Sequence, residues 1–277
     1  MNWFDALILG IVQGLTEFLP VSSSGHLAIG QQLLLDQDAT KTAMEIAREQ
    51  MSFDIIVHAA TVLATMVIFW YEIVRLFRGT FFSRHWNDEK SYVLKILISM
   101  IPVFVVGMFF KDQVESFFGS GLLLVGVCLL ITALLLVFSE WLQKRRQSNG
   151  HDVRYVDALA IGLAQACAVL PGLSRSGTTI ATGLLCGVRK EVVAQFSFLM
   201  VLIPIMGAAA KEAWDIYKGP ETFDIGIFPA LIGFVAAFVV GCFACRFMIE
   251  IVRRQRLSWF ALYCAIIGSV AIISEFC

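Results

Sequence analysis

Two short stretches hold most of the reactive side chains of this chain: QGLTEFLPVSSSGH at residues 13–26 and PGLSRSGTT at residues 171–179. In the first, Gln13 and Glu17 stand four apart and share one helix face. Glu17 can act as a base, hold a divalent cation, or neutralise an arginine. Ser22, Ser23 and Ser24 offer hydroxyls that can attack phosphorus where a base lies within hydrogen-bond reach. His26 is the nearby acid or base. In the second stretch, Arg175 carries a guanidinium fork that fits phosphate or carboxylate oxygens. Ser174, Ser176, Thr178 and Thr179 surround it, while Gly172 and Gly177 let backbone amides turn toward an anion. A helix expected over about 178–188 would aim its positive end at the same place. The set reads as a cradle for an oxyanion or phosphate. The alternative is a structural arginine paired with Glu17. Asp54 and His58 share a face farther on, where they either support the pocket or bond across a helix interface.

These groups must be positioned by very apolar elements. The 277 residues are 58% hydrophobic and 16% charged, with a mean hydropathy of +0.78. That composition excludes an ordinary soluble domain. Apolar runs recur at roughly 53–71, 94–110, 121–142, 192–210, 225–245 and 257–274. Each approaches the ~20 helical residues that cross a bilayer core. An all-α integral membrane protein is expected. Net charge is −1, which gives no footprint for nucleic acid, and the seven cysteines show no metal-ligand spacing.

The chain also resembles itself. Residues 10–25, GIVQGLTEFLPVSSSG, lie on residues 162–177, GLAQACAVLPGLSRSG, so that Gln13, Ser22, Ser24 and Gly25 coincide with Gln165, Ser174, Ser176 and Gly177. Farther on, LISMIPVFVVGMF (97–109) lies on LIGFVAAFVVGCF (231–243). Two repeats follow, about 1–142 and about 155–277, within one membrane domain. Each holds a polar-interrupted segment and then three spanning helices. Residues 4–18 make only about 22 Å of helix before Pro20. Two short helices joined by unwound backbone predict a re-entrant hairpin, or else one broken spanning helix. With three crossings per half, the halves insert upside down, an inverted-topology repeat. Of the 21 lysines and arginines, five (Lys41, Arg48, Lys111, Lys211, Lys218) then fall on the N-terminal side, fifteen on the other, and Arg175 on neither. Positive charge collects on the cytoplasmic side, so the termini would face outward. Such repeats place their site where the unwound loops meet. That architecture also suits a polyprenyl-phosphate lipid transporter or flippase, the rival reading. It has less need of a serine, histidine and glutamate together.

At these residues the chain resembles the undecaprenyl-diphosphate phosphatases of the bacitracin-resistance type. That family's first motif, [E/Q]-x-x-x-E followed by L-P-x-S-S-[ST]-G-H, matches Gln13, Glu17 and LPVSSSGH; its second, P-G-x-S-R-S-G-x-T, matches Pro171 to Thr179. A third, weaker likeness is FDIIVHAATVLA (53–64), where Ala59-Ala60 replaces the family's usual Leu-Gly. The likeness spans the whole chain. It implies removal of the terminal phosphate from a C55 polyprenyl diphosphate, yielding the monophosphate lipid carrier of cell-wall synthesis. It also implies a divalent cation (magnesium or calcium), bacitracin resistance, and a site opening at the outer face of the bacterial cytoplasmic membrane. Ser23 would be the nucleophile, with a histidine or a water as alternatives. Glu17 would be base or metal ligand, with Gln13 nearby as an uncharged neighbour, and His26 the acid/base. Arg175 would bind the diphosphate with Ser22, Ser24, Ser174, Ser176, Gly177, Thr178 and backbone amides. The type 2 phosphatidic acid phosphatases share S-G-H and S-R, but they need a histidine where this chain has Ala181.

Overall fold

The computed structural model describes residues 1–35, 43–110, 113, 121–146, 150–218, 225–254 and 256–275. Lys41 and Lys111, used above to orient the chain, lie outside the described residues. The described chain is helical throughout: α1 (Trp3–Phe18), α2 (Ser23–Leu35), α3 (Ala43–Ile68), α4 (Trp70–Phe81), α5 (Asp88–Phe109), α6 (Gly121–Arg145), α7 (Tyr155–Cys167), α8 (Arg175–Cys186), α9 (Lys190–Lys218), α10 (Ile227–Arg253) and α11 (Ser258–Ser274). Five segments are long and apolar enough to cross a membrane: Arg48–Ile68, Asp88–Phe109, Leu122–Arg145, Lys190–Gly207 and Ile227–Arg253. The sixth expected span is the 17-residue α11, which reaches only about 25 Å. The four helices flanking the polar stretches have 16, 13, 13 and 12 residues, too short to cross alone.

Two local expectations change. The Ser/Gly clusters do not break their helices but begin them, since α2 starts at Ser23 and α8 at Arg175. First-turn amides have no acceptor inside the helix, so serine and glycine cost little there, and a serine can cap them. The unwound backbone is instead Leu19–Ser22 and the turn from Ala168 to Ser174. Helix α4 was not anticipated. It breaks from α3 at Phe69 and sets Trp70, Tyr71, Phe77 and Phe81 exposed beside Arg75 and Arg78.

The chain divides into two compact units, each taking pieces from both halves of the sequence. The first is Met1–Phe18, Ser23–Ile68 and Leu202–Arg246. Its core is built on Ala6, Leu9, Leu27, Phe53, Val57, Ala60 and Ala237. Glycines bring α1 onto α10. A Cβ on Gly10 would lie 2.5 Å from the Gly233 carbonyl oxygen, and one on Gly14 would lie 2.7 Å from that of Ala237. Small residues four apart permit this approach, which gives helices in lipid their packing energy.

The second unit is Leu19–Ser22, Phe69–Val201 and Phe247–Cys277. Here α11 lies along α6, α5 along α7, and α8 packs on both α6 and α7. Gly126 and Gly268 meet backbone to backbone, as do Gly162 and Ser99. Helix α6 grips α8 at both ends. At the start, Thr132 Oγ1 accepts the Ser174 amide at 3.2 Å. At the finish, Gln143 and Arg146 donate to the carbonyls of Leu184 and Leu185. A cation there suits the negative end of the helix. Gly187 (φ +92°) ends α8 in the left-handed region that glycine adopts without cost.

Candidate functional site

In the first unit, Glu17 lies at the end of α1 with its side chain only 6% exposed. Burying a carboxylate demands partners, and Ser23, Gln13 and His58 are among those around it. Ser23 Oγ donates to Glu17 Oε2 at 2.8 Å. Gln13 Nε2 donates to the same oxygen at 3.1 Å from one turn earlier. His58 Nε2, on α3, stands 4.0 Å away. The ring of His58 is oriented by Nδ1, 2.8 Å from the Asp54 carbonyl oxygen. The Asp54 carboxylate in turn accepts from Gln31 Nε2 at 2.6 Å.

The three neighbouring serines stand in different settings, and Ser23 is the one whose hydroxyl faces Glu17 across the bond just described. Ser22 takes φ +69°, a left-handed conformation rare outside glycine, and is buried. That turn sets up the helix start which aims Ser23 back at Glu17. Ser24, next along α2, is exposed, and His26 is half-buried in the same first turn. His58 stands closer to the carboxylate than its shared face with Asp54 alone indicates. An ionisable side chain in the middle of a spanning segment was the signal that marked it.

The second unit holds the other set. Ser174 caps α8, its Oγ accepting the Gly177 amide at 3.2 Å. Arg175 is the first helical residue and is half-buried. Its carbonyl accepts from Thr179 Oγ1 at 2.8 Å. Ser176 donates its hydroxyl hydrogen to the carbonyl oxygen of Leu19 at 2.9 Å. Cys264 Sγ lies 3.3 Å from the Pro20 carbonyl oxygen. The turn Leu19–Ser22, which separates Glu17 from Ser23 along the chain, is thus fastened to the first turn of α8. Thr178 Oγ1 is buried with no hydrogen-bond partner among the described residues. A buried hydroxyl left so is costly unless something else meets it.

A cation fits the first set. Gln13 is wholly buried, and its Oε1 has no hydrogen-bond partner among the described residues. That orphaned acceptor and the Glu17 carboxylate are hard oxygen donors one helical turn apart. Among the described residues no group of three His, Cys, Asp or Glu gathers to hold a metal. The oxygens present suit an ion that keeps most of its water or takes substrate oxygens, as magnesium does.

The helices and the two polar sets define a multi-pass, all-helical membrane protein with a buried carboxylate–hydroxyl pair and an arginine at a capped helix start. Residues 6–270 match the family described as bacitracin resistance protein BacA. The chain is 55% identical over 274 residues to an undecaprenyl-diphosphatase of Bacteroides fragilis, covering 99% of this chain and 98% of that one. It is 55% identical over 273 residues to an undecaprenyl-diphosphatase of Parabacteroides distasonis, covering 98% of each. An undecaprenyl-diphosphatase of Carboxydothermus hydrogenoformans is 37% identical over 276 residues, 99% of this chain and 98% of that protein. The chain belongs to the BacA family.

Proposed function

We propose that the protein is an undecaprenyl-diphosphate phosphatase, cleaving the terminal phosphate from the C55 lipid diphosphate to leave the monophosphate carrier and inorganic phosphate. The observation that carries the chemistry is the 2.8 Å hydrogen bond from Ser23 Oγ to Glu17 Oε2. It is a hydroxyl already aligned to give up its proton to a base. Attack by Ser23 Oγ on the terminal phosphorus forms a new P–O bond and breaks the anhydride P–O bond. The serine proton passes to Glu17, and the lipid monophosphate leaves with the bridging oxygen. Water then attacks the phosphoserine, returning the proton to Ser23 and releasing phosphate. His26 serves as the acid/base for the departing oxygens.

The anion is held by the other set. Arg175, the Ser174 and Thr178 hydroxyls, Ser22, Ser24, Gly177 and the first-turn amides of α8 bind the diphosphate and the charge that grows on it. Phosphoryl transfer asks chiefly for such positioning and charge stabilisation. Ser176 has spent its hydrogen on Leu19, so it contributes by fixing the turn and through its amide. Chain connectivity ties this set to the reacting groups. The turn that Ser176 holds is the four-residue link between α1, which ends one residue past Glu17, and the Ser23 helix. A divalent cation, magnesium or calcium, would be held by Glu17 with Gln13 beside it, and would neutralise phosphate oxygens when bound.

Two re-entrant hairpins, α1–α2 and α7–α8, in an inverted repeat best account for four helices too short to span and for the lopsided basic residues. On that reading the protein sits in the bacterial cytoplasmic membrane with its site opening outward. Phosphate release by the purified protein tests the activity. Detergent-solubilised protein with undecaprenyl diphosphate should release phosphate with magnesium or calcium and stop with EDTA. No release under either ion would sink the reading.

A further inference from the structure

The end of α10, the turn after it and the start of α11 enclose a cavity of about 440 Å³ within the second unit. Phe247, Ile251, Trp259 and Phe260 make its apolar walls; Glu250, Arg254 and Arg256 sit among them. The volume falls in the range of small-molecule sites, about 300–1,000 Å³. We propose that this cavity binds an acidic phospholipid, whose phosphate lies against Arg254 and Arg256 while an acyl chain runs among Phe247, Trp259 and Phe260.

Three observations lead there. The first is position. The spanning segment Ile227–Arg253 ends at this point, so the cavity opens where acyl chains give way to headgroups. Trp259 is 72% exposed and Phe247 59%, which is costly in water and favourable at the bilayer interface. The second is uncompensated charge. Arg254 Nε donates to Glu250 Oε1 at 2.6 Å, which orients the guanidinium and uses up the one carboxylate of the cavity. Arg253 and Arg256 are exposed, and neither makes a side-chain ion pair among the described residues. Glu140, which meets the start of α11, is already committed to Lys144 and to the amide and hydroxyl of Ser258. The third is the neighbouring helix end. Helix α6 packs on α11 and finishes with Arg145 stacked 4.1 Å over the Trp141 ring. Aromatic anchors and arginines thus repeat on both helices.

Only a lipid presents an apolar chain and a phosphate together at this depth. A second copy would set arginines against arginines in an isologous contact. A single phosphodiester headgroup is what the geometry favours, since each arginine near an anionic surface strengthens attraction about fivefold. The site is independent of the phosphatase chemistry, and none of its residues serves that reaction.

The test uses the full chain in phosphatidylcholine nanodiscs, doped with a minor fraction of dibrominated phosphatidylglycerol or of dibrominated phosphatidylcholine. Subtracting the emission of Trp259→Phe isolates Trp259 from the other tryptophans. Bromine on phosphatidylglycerol should quench Trp259 strongly, at fractions where brominated phosphatidylcholine does not. Arg256→Gln should weaken that preference about fivefold, and Arg254→Gln with Arg256→Gln about 25-fold. Phosphate release measured on each variant checks that it has folded. Equal quenching by the two lipids overturns the proposal, as does a preference that survives loss of both arginines. So does the absence of quenching by either, which is the result expected if another copy of the chain covers the face.

Discussion

The hydrogen bond between Ser176 and the carbonyl of Leu19 allows a quantitative test of how the two polar stretches depend on each other. Ser176 is 8% exposed and donates at 2.9 Å. Ser176→Ala removes this donor and leaves the Leu19 carbonyl to the Val21 amide, 2.8 Å away, in the turn that leads from Glu17 to Ser23. Losing one such bond costs about 0.5–1.5 kcal/mol. If that free energy is lost from the placement of the turn alone, the properly set population falls about 2- to 13-fold. A value in the middle of that range, about fivefold in kcat, is expected, because the Pro20 carbonyl keeps its contact with Cys264. Gly177→Ala perturbs the same turn from the opposite direction. Its new Cβ would meet Pro20 Cβ at 3.0 Å, Thr132 Cγ2 at 3.1 Å and Ser174 Cβ at 3.2 Å, and overpacking of this kind costs about 1–3 kcal/mol. The assay is steady-state phosphate release from undecaprenyl diphosphate, with kcat and KM measured separately and helicity checked by circular dichroism. Folded Ser176→Ala protein with kcat within twofold of the parent would refute the claim that this bond positions the reacting groups.

Arg175→Ala should cut turnover at least about 100-fold, the scale of a lost transition-state donor; near-normal phosphate release would remove it from the site. Ser23→Ala should abolish any acid-stable protein-bound phosphate in a rapid quench with labelled diphosphate, whereas a phosphoprotein persisting in that variant would move the nucleophile elsewhere. His58→Gln, which alters a group 4.0 Å from Glu17, should raise the magnesium or calcium concentration for half-maximal turnover about tenfold and leave saturated kcat within threefold; an unchanged metal requirement would confine His58 to packing. Gly14→Leu should destabilise the fold by several kcal/mol, because its Cβ alone would sit 2.7 Å from the Ala237 carbonyl; a thermal midpoint equal to the parent's would show that α1 and α10 part easily. For the orientation, a cysteine at exposed position 226 on a cysteine-free background should react with an impermeant thiol reagent in intact cells while one at 84 should not, and the reverse labelling would invert the topology.

Much of this protein was legible in residue order because the controlling forces act over a few positions. Apolar runs near bilayer length announced spanning helices, and Pro20 with Gly172 announced the interrupted ones. Glu17 and Gln13 could be put on one face from their spacing alone. The arginine at 175 drew attention because a cation amid apolar sequence is expensive without an anion to meet. Helix starts were less legible. A run of serine and glycine suggests unwound backbone, whereas the structure uses it as a first turn, where unpaired amides make these residues inexpensive.

What residue order left open was decided by elements far apart in the chain. Three adjacent serines are indistinguishable as text. The left-handed turn at Ser22 and the helix start at Ser23 set the Ser23 hydroxyl on Glu17. Nothing local tells that Ser176 spends its hydrogen on a carbonyl 157 positions away, or that Thr132 of α6 holds the turn before Arg175. His58 reaches Glu17 only because α3 packs beside α1. Periodicity specifies which face of a helix is polar, but the direction of a single hydroxyl depends on the surfaces that close around it, and those are set by packing.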